Sequence, residues 1–481
     1  MAFVTLLNLF LALAVAQVVS IFYTLFSRSL LSPLANIPGP RLAPLTSWYE
    51  CYYDVFKPGQ YVFKIKQLHE KYGPIVRITP REVSISDVEF LNTIYAPRPH
   101  FKRNKDFEKV KALGINTSIG AAVDHDLHRK RRESLNPFFS KKSVLNFAPQ
   151  IQNKISQLDE IFSVSQNTGD VNVLANPDRA ASMGSNVAGV LRGVKFSLHF
   201  SWVRTVVRML PPSLSGRWIP QGVKDMLKFR QIIRQEVQQA LDSKAGNENH
   251  HSVFVELRDS PTLPASEKTV QRLEDEATLL VMAGTESTAK SISIAHYHLL
   301  ANPEIMTKLR TELSANPNAS LTDLDQIPYL HAIALEANRL SFGLTGRNPR
   351  ISPSETLSYT NPSSQKTYDL PPGTPISTST LLVHTNESIF NSPWTFNPDR
   401  WLGQGIENKK YMLAFSKGPR QCIGMHLADA ELVMAIKEMS RWDMELVGTD
   451  EKDVRFLHDY HVATPRLDSL GVRVSVIGKV G

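Results

Sequence analysis

The sequence predicts a mainly α protein with a smaller β-rich part, preceded by one N-terminal transmembrane helix. Three observations carry that prediction. From Ala2 to Ser27 no side chain is charged. Helical patterns dominate the rest, the longest running from Gln271 to Ala301, where Asn302-Pro303 stops it. Short β-type runs with alternation and turn residues occur at Pro74 to Ser86 and at Asp369 to Thr380.

The first segment is long enough to span a bilayer, since about 25 residues at ~1.5 Å each cross a hydrocarbon core of ~30 Å. No Lys or Arg precedes the apolar run, and the first basic side chains, Arg28 and Arg41, follow it. A cleaved signal peptide has a positive leader and a shorter apolar core, so residues 1–27 read as a signal anchor. The positive-inside rule then puts the bulk of the chain in the cytosol. Residues 28–47 contain Pro33, Pro38, Pro40 and Pro44 with Gly39, which forbid a regular helix and make a stiff hinge. Residues 48–481 show no internal repeat and read as one body.

Two cysteines in 481 residues exclude a disulfide framework and a four-thiolate zinc site. Cys51 lies in the aromatic run WYECYY and reads as a packed thiol. Such sparse usage fits a reducing compartment. The net charge of +8 includes the basic runs Arg129–Arg132, Lys141-Lys142 and Lys409-Lys410. Each reads as solvated surface, lipid contact or a docking face for an acidic partner. No nucleic-acid motif accompanies them, so nucleic acid is set aside. No G-x-G-x-x-G follows a strand, so NADPH is not expected to bind directly.

Three further segments stand out. The long helix has LLVMAGTEST at its centre, where Gly284 costs ~1 kcal/mol relative to Ala. Read blandly, the helix passes from buried to exposed there. Read functionally, it is thinned at Ala283-Gly284 so that a bulky group can approach, with Glu286 and Ser287 offering a carboxylate and a hydroxyl. A second helix holds Glu336 and Arg339 at i and i+3, a spacing that occurs roughly once by chance in a chain this long. If Arg400 of FNPDRW reaches them, a buried three-member network results. The last segment is FSKGPRQCIG, Phe415 to Gly424. Its cysteine sits between a Gly-Pro loop and the start of a helix, where the dipole and free N–H groups favour a thiolate. Gly424 allows close approach to the backbone, and Arg420 can pair with an anion.

Phe415, Gly418, Arg420, Cys422 and Gly424 match the haem-binding loop of cytochromes P450, and on them the chain resembles that superfamily. Five fixed positions, each met by chance roughly once in twenty, coincide in on the order of one in ten thousand chains of this length. AGTEST in the long helix, Glu336-x-x-Arg339, FNPDRW and the cysteine loop fall in family order. The apolar anchor and IPGP look like those of microsomal members. LHRKRRESLNPFFSKKSV and HDYHVATPRLDSLGVRV look like fungal enzymes of secondary metabolism, similar to the trichodiene oxygenase type.

The resemblance implies the P450 fold over nearly the whole chain and a monooxygenase. Haem b would be held by the Cys422 thiolate, which pushes electron density onto iron. Arg420, Arg350 and the pair His128/Arg132 would bind the propionates, with Arg347 as the alternative to Arg350. Glu286 and Ser287 match the acid–alcohol pair that handles protons, with Thr288 as a possible substitute for Ser287. Glu336, Arg339 and Arg400 form the structural network. One atom of O2 would enter a lipophilic substrate, a terpenoid or polyketide intermediate. Electrons would come from a separate NADPH-cytochrome P450 reductase at the endoplasmic reticulum membrane, the catalytic body facing the cytosol. The region after Pro99, Leu280 to Ala283, Phe342 to Thr345 and His461 to Ala463 would line the pocket. Two rival readings keep the fold: an isomerase or dehydratase needing no reductase, and a degenerate, non-catalytic haem protein. Against the family pattern, the segment from Asp170 to Leu210 is short.

Overall fold

The structure, a computed structural model, describes residues 2–95, 101–166, 170–172, 193–200, 202, 221–242 and 253–480. Most of the Asp170 to Leu210 segment lies outside the described residues. The principal helices are α1 (Ala2–Phe26), α2 (Tyr61–Tyr72), α3 (His125–Leu135), α4 (Lys141–Ser165), α5 (Gln221–Asp242), α6 (Val270–Ala301), α7 (Pro303–Ser314), α8 (Pro328–Ser341) and α9 (Met425–Ser440). The fold is mainly helical with small sheets.

α6 starts where the Thr269 side chain accepts the backbone N–H of Arg272. It stops at Asn302, and Pro303 opens α7 with its missing N–H in the first turn. α6, α8 and α9 share one core. Ile294, Ala295 and Leu299 meet Leu330, Ile333 and Ala337, together with Leu432, Val433 and Ile436. Each set recurs at three or four residues, so one stripe of each helix is buried. This packing fixes the middle of α6 over the loop that precedes α9.

The predicted β runs appear as β1 (Ile75–Arg77) and β2 (Val83–Ile85). They belong to a five-stranded sheet of order β1-β2-β8-β5-β3, with β3 (Asn104–Lys105), β5 (Arg350–Ile351) and β8 (Pro375–Ser377). All pairs are antiparallel except β2 with β8. The second predicted run is interrupted: β7 (Thr367–Leu370) pairs with β6 (Leu357–Thr360), and Thr380 already opens a short helix. A three-stranded sheet joins β4 (Asp170–Asn172), β12 (Arg473–Lys479) and β9 (Trp442–Leu446). The hairpin β10 (His458–Asp459) and β11 (Ala463–Thr464) turns back beside α6.

α1 carries no charged side chain, and the stretch Asn8–Leu31 is long and apolar enough to cross a membrane. The proline-rich hinge is not free. Leu34 and Ile37 are buried against Ile75, Val83 and Ile85, and the Arg77 N–H donates to the Pro38 carbonyl at 2.8 Å. The hinge therefore docks the start of the body onto β1.

Candidate active site

Cys422 closes a tight loop: its N–H donates to the Phe415 carbonyl at 2.8 Å. Gly418 has φ +72°, and a Cβ there would collide with the Tyr95 carbonyl oxygen. Only glycine meets both demands. Gly424 caps α9, and its N–H donates to the cysteine sulfur. That hydrogen bond and Arg132 draw the thiol down, but burial outweighs them and pushes it up. The sulfur is nevertheless accessible. An accessible yet desolvated sulfur lies on the wall of a recess.

The opposite wall is the middle of α6. Residues Arg272 to Thr278 are buried and so is Thr288, while Ala283, Gly284, Thr285 and Ser287 are exposed. A Cβ on Gly284 or on Gly424 would meet open space. Ile423 packs in the same cluster as Ala277 and Leu279, and the Thr288 hydroxyl donates to Glu431 of α9. Those two links put the exposed stretch of α6 across from Cys422.

Beside these walls lies a group of buried and half-buried basic side chains with no buried acid among them; only exposed Asp124 pulls on Arg420. Lys105 and Arg350 are directly opposite in the β3–β5 register, a pairing that repels. Arg420 donates to the carbonyls of Arg103 at 3.2 Å, Ala122 at 2.6 Å and Val123 at 2.7 Å. Arg350 donates to the Asn348 carbonyl at 3.0 Å and lies 5.4 Å from the centre of the Tyr95 ring. Arg132 donates to the Gln421 carbonyl. Burial pushes Lys105 well down, and Arg350 and Arg420 push it further. Burial and then Arg420, Lys105, Arg132 and Arg350 push His128 down to about 2, so it is neutral. Carbonyl dipoles alone do not neutralise such charges, so the group demands an anion.

A flat macrocycle bearing two carboxylates satisfies all of this: a thiolate on one face, a thinned helix on the other, and cations along one edge. The residues present therefore fit haem. Lys105 is the member that the sequence reading missed. Nothing in FKRNKDF distinguishes it from a surface lysine; its strand partner Arg350 does. Arg347 is placed elsewhere. It pairs with Glu50 and, at 2.9 Å, with Glu82, so its charge is already met.

Ser287 donates to the Ala283 carbonyl at 2.7 Å and stays at the opening. Glu286 is half-buried, and burial pushes its carboxyl up. Thr288, one position on, is turned about 100° around the helix toward α9 and away from the opening.

Glu336 gathers the structural group. Arg339 donates to it at 2.9 and 2.8 Å and Arg400 at 3.0 Å. The Asn397 N–H and the Trp401 indole complete its shell, each at 2.9 Å. Arg339 also donates to the His384 carbonyl at 2.9 Å, and His384 Nε2 accepts from the Leu413 N–H at 2.9 Å. The network thus braces the strand of chain entering the cysteine loop. His384, like Lys105, has no sequence signal.

Of the predicted pocket lining, residues 96–100 lie outside the described residues. Met282 packs with Tyr460 and Val462, and Leu344 bridges to Val462. Phe342 and Thr345 instead face inward, against Phe456 and Asp459 respectively. Of the basic run Arg129–Arg132, Arg131 is buried against Glu267 and Arg132 is half-buried against the cysteine loop, leaving Arg129 and Lys130 exposed.

Comparison with known proteins agrees with this geometry. Residues 178–466 match the family described as cytochrome P450. The chain is 36% identical over 498 residues to a cytochrome P450 monooxygenase, TRI4, of Trichoderma arundinaceum, covering 95% of this chain and 94% of that one. It is 36% identical over 473 residues to conidiogenone synthase PchP450 of Penicillium rubens, covering 92% and 94%. It is 34% identical over 504 residues to the cytochrome P450 monooxygenase astB of Aspergillus terreus, covering 97% and 96%. The chain belongs to the cytochrome P450 family, among its monooxygenases.

Proposed function

We propose that the chain is a membrane-anchored monooxygenase of fungal secondary metabolism. It would hold haem b through Cys422 and oxygenate a lipophilic terpenoid or polyketide intermediate. The observation that carries the reading is the group of basic side chains, without a buried acid, beside an exposed cysteine. Bound haem supplies the activation of O2, one atom entering a C–H or C=C bond and the other leaving as water. Arg420, Arg350, Lys105 and Arg132 hold the two propionates, and neutral His128 offers a ring N–H donor. The hydrogen bond from Gly424 N–H and the charge of Arg132 favour the Cys422 thiolate. Glu286 carries protons toward the opening, and Ser287 passes them on from its hydroxyl. Apolar Met282, Leu344 and Val462 shape the substrate side and keep water out.

Electrons come from an NADPH-dependent reductase. Arg129, Lys130, Lys142, Lys409 and Lys410 are exposed and suit an acidic partner. Lys141 and Lys409 both act on His331, and α3 touches the cysteine loop through Arg132, so these runs flank the thiolate side. The anchor is residues 1–27, single-pass in the endoplasmic reticulum, with the body in the cytosol. Exposed Trp48, Phe56, Phe196 and Trp202 support a body resting on the bilayer beside its anchor.

The test is the carbon monoxide difference spectrum of the reduced protein in microsomes. The wild-type chain gives the Soret position of a thiolate ligand, and Cys422→Ser loses it entirely. A histidine-type band, or a thiolate band that survives Cys422→Ser, overturns the reading.

A further inference from the structure

α6 carries one more ionisable group beside the opening that the reading above leaves without a task. Lys290 lies one turn beyond Glu286, at i+4 on the same face of the helix. It is half-buried, in the last turn before α6 closes again into the core. Among the described residues no carboxylate comes within 4 Å of its ammonium, and no hydrogen bond reaches it. One turn further along the same face, Ile294 lines a small cavity together with Val454. Both also belong to one buried core, which brings this face of α6 toward the segment after β9 that contains Asp453.

Asp453 is itself tied down. Arg466 donates to it at 2.9 and 2.7 Å, Ser469 at 2.6 Å and the Asp450 N–H at 3.0 Å. The carboxylate is buried, while the Arg466 side chain is one-third exposed. The Asp453 group therefore reaches from beneath α6 to solvent. Lys290 stands between two acids, Glu286 toward the opening and Asp453 toward the surface.

We propose that Lys290 is a positioning residue for proton delivery: it supplies the positive charge that Glu286 lacks and, through water, joins Glu286 to the Asp453–Arg466–Ser469 group and the surface. The proposal rests on Glu286 being the proton carrier. Two electrostatic directions agree with it. Burial pushes Lys290 down to about 8, while Glu286 and Asp453 both pull it up. Burial pushes Glu286 up, and Lys290 is the charge that pulls it down. From α9 the nearest acid, Glu431, is engaged by Thr288 instead. The positive charge, which an arginine would also carry, is what draws Glu286 down.

The experiment uses the full-length holoprotein with its lysines carrying 13C-methyl labels, and follows their titration by NMR. One lysine titrates near pH 8 in the wild type, and its signal is lost in Lys290→Gln. In Glu286→Gln the same signal moves down by about one pH unit, because an anionic neighbour is gone. In turnover with a reductase, the acid limb of peroxide released per NADPH consumed moves up by about one pH unit in Lys290→Gln, and Lys290→Arg restores it. A Lys290 signal that titrates in the ordinary lysine range, or that Glu286→Gln leaves in place, overturns the proposal. So does an unmoved acid limb in Lys290→Gln. If Lys290→Gln fails to fold, the wild-type and Glu286→Gln titrations still decide. The carbon monoxide spectrum of each protein reports Cys422 separately, so failure of the haem reading and failure of this one are distinguishable.

Discussion

Two buried charge clusters in this chain are built from the same residue types and behave in opposite ways. One lies behind the hinge. Arg347 pairs with Glu50 and Glu82, Lys109 with Glu50 at 2.6 Å, and Lys195 with Asp54 at 3.1 Å and Asp459 at 2.7 Å. The other, beside Cys422, holds Lys105, His128, Arg132, Arg350 and Arg420 without an acid. In the first, burial works against the charges of Glu50 and Lys195, but their partners win. Arg347 and Lys109 hold Glu50 down at about 2 against its desolvation, and Asp459 and Asp54 hold Lys195 above its usual range. In the second, burial pushes every member down, and neighbouring cations push Lys105, His128 and Arg420 further. Desolvation is common to both, so the direction of the shift tells where the counter-charge resides. Within the chain it makes a structural network; outside the chain it makes a binding site.

The comparison breaks most sharply on two arginines three residues apart. Arg347→Met leaves Glu50 and Glu82 to share Lys109 alone and destabilises apo- and holoprotein alike by ~3 kcal/mol. Arg350→Met removes a repelling charge, so the apoprotein is as stable as wild type or more so. Haem retention falls by about 10- to 100-fold, the usual cost of losing an outer partner of a bound metal group. Urea unfolding of both forms, with haem transfer to apomyoglobin, separates the two. Equal loss of apoprotein stability in both variants would erase the distinction.

Acid sharpens it with a smaller effect. His128 has a folded pKa depressed to about 2 against an unfolded value near 6.5. Its stability contribution is present above about pH 6.5 and is lost as pH falls, because unfolded histidine takes up the proton first. Glu50, depressed to about 2 against about 4.3, keeps its contribution down to about pH 4.3 and loses it below. Amide protection in the apoprotein, corrected for the intrinsic exchange rate, therefore falls first in α3, from about pH 6.5, and around Glu50 only below about pH 4.3. Supplying haem, with its carboxylates, slows α3 and leaves the Glu50 region unchanged. Simultaneous loosening of the two regions would contradict the assignment.

What the sequence made legible was local. The ends of α6, the cysteine loop and the i, i+3 pair of Glu336 and Arg339 are each written within a few residues, where helix geometry and turn chemistry operate. Helix phase also held what the reading passed over: Thr288 follows Ser287 by about 100°, so the two cannot share one face. The rest is long-range. Lys195 meets Asp459 264 positions away, and Arg347 meets Glu82 265 positions away. No spacing rule reaches across such separations, so neither the acids that meet Arg347 nor the lack of an acid on Lys105, whose ammonium donates only to the Gly120 carbonyl among the described residues, could be read in advance. The hinge looked like a spacer because prolines say only that it is not a helix. Its docking on β1 depends on Leu34 and Ile37 finding Val83 and Ile85.

The smallest expected effect concerns Ser287, where the chain carries a hydroxyl without a β-methyl. Its Oγ donates to the Ala283 carbonyl, a bond that competes with handing a proton toward the opening. Serine has one more free rotamer than threonine in a helix, and its hydroxyl spends more time away from any single orientation. Ser287→Thr adds one methyl at an exposed position beside Gly284, where a Cβ meets open space. The fold tolerates it, with a stability change within about 0.5 kcal/mol. Peroxide released per NADPH falls by about two- to threefold, a barrier change of roughly 0.5 kcal/mol. Ser287→Ala moves it the other way and by more, since the hydroxyl itself is gone. If Ser287→Thr and Ser287→Ala leak alike, proton delivery does not pass through residue 287. Thr288, held by Glu431, cannot take over without turning toward the recess, and Glu431→Gln in the Ser287→Ala background tests whether it does.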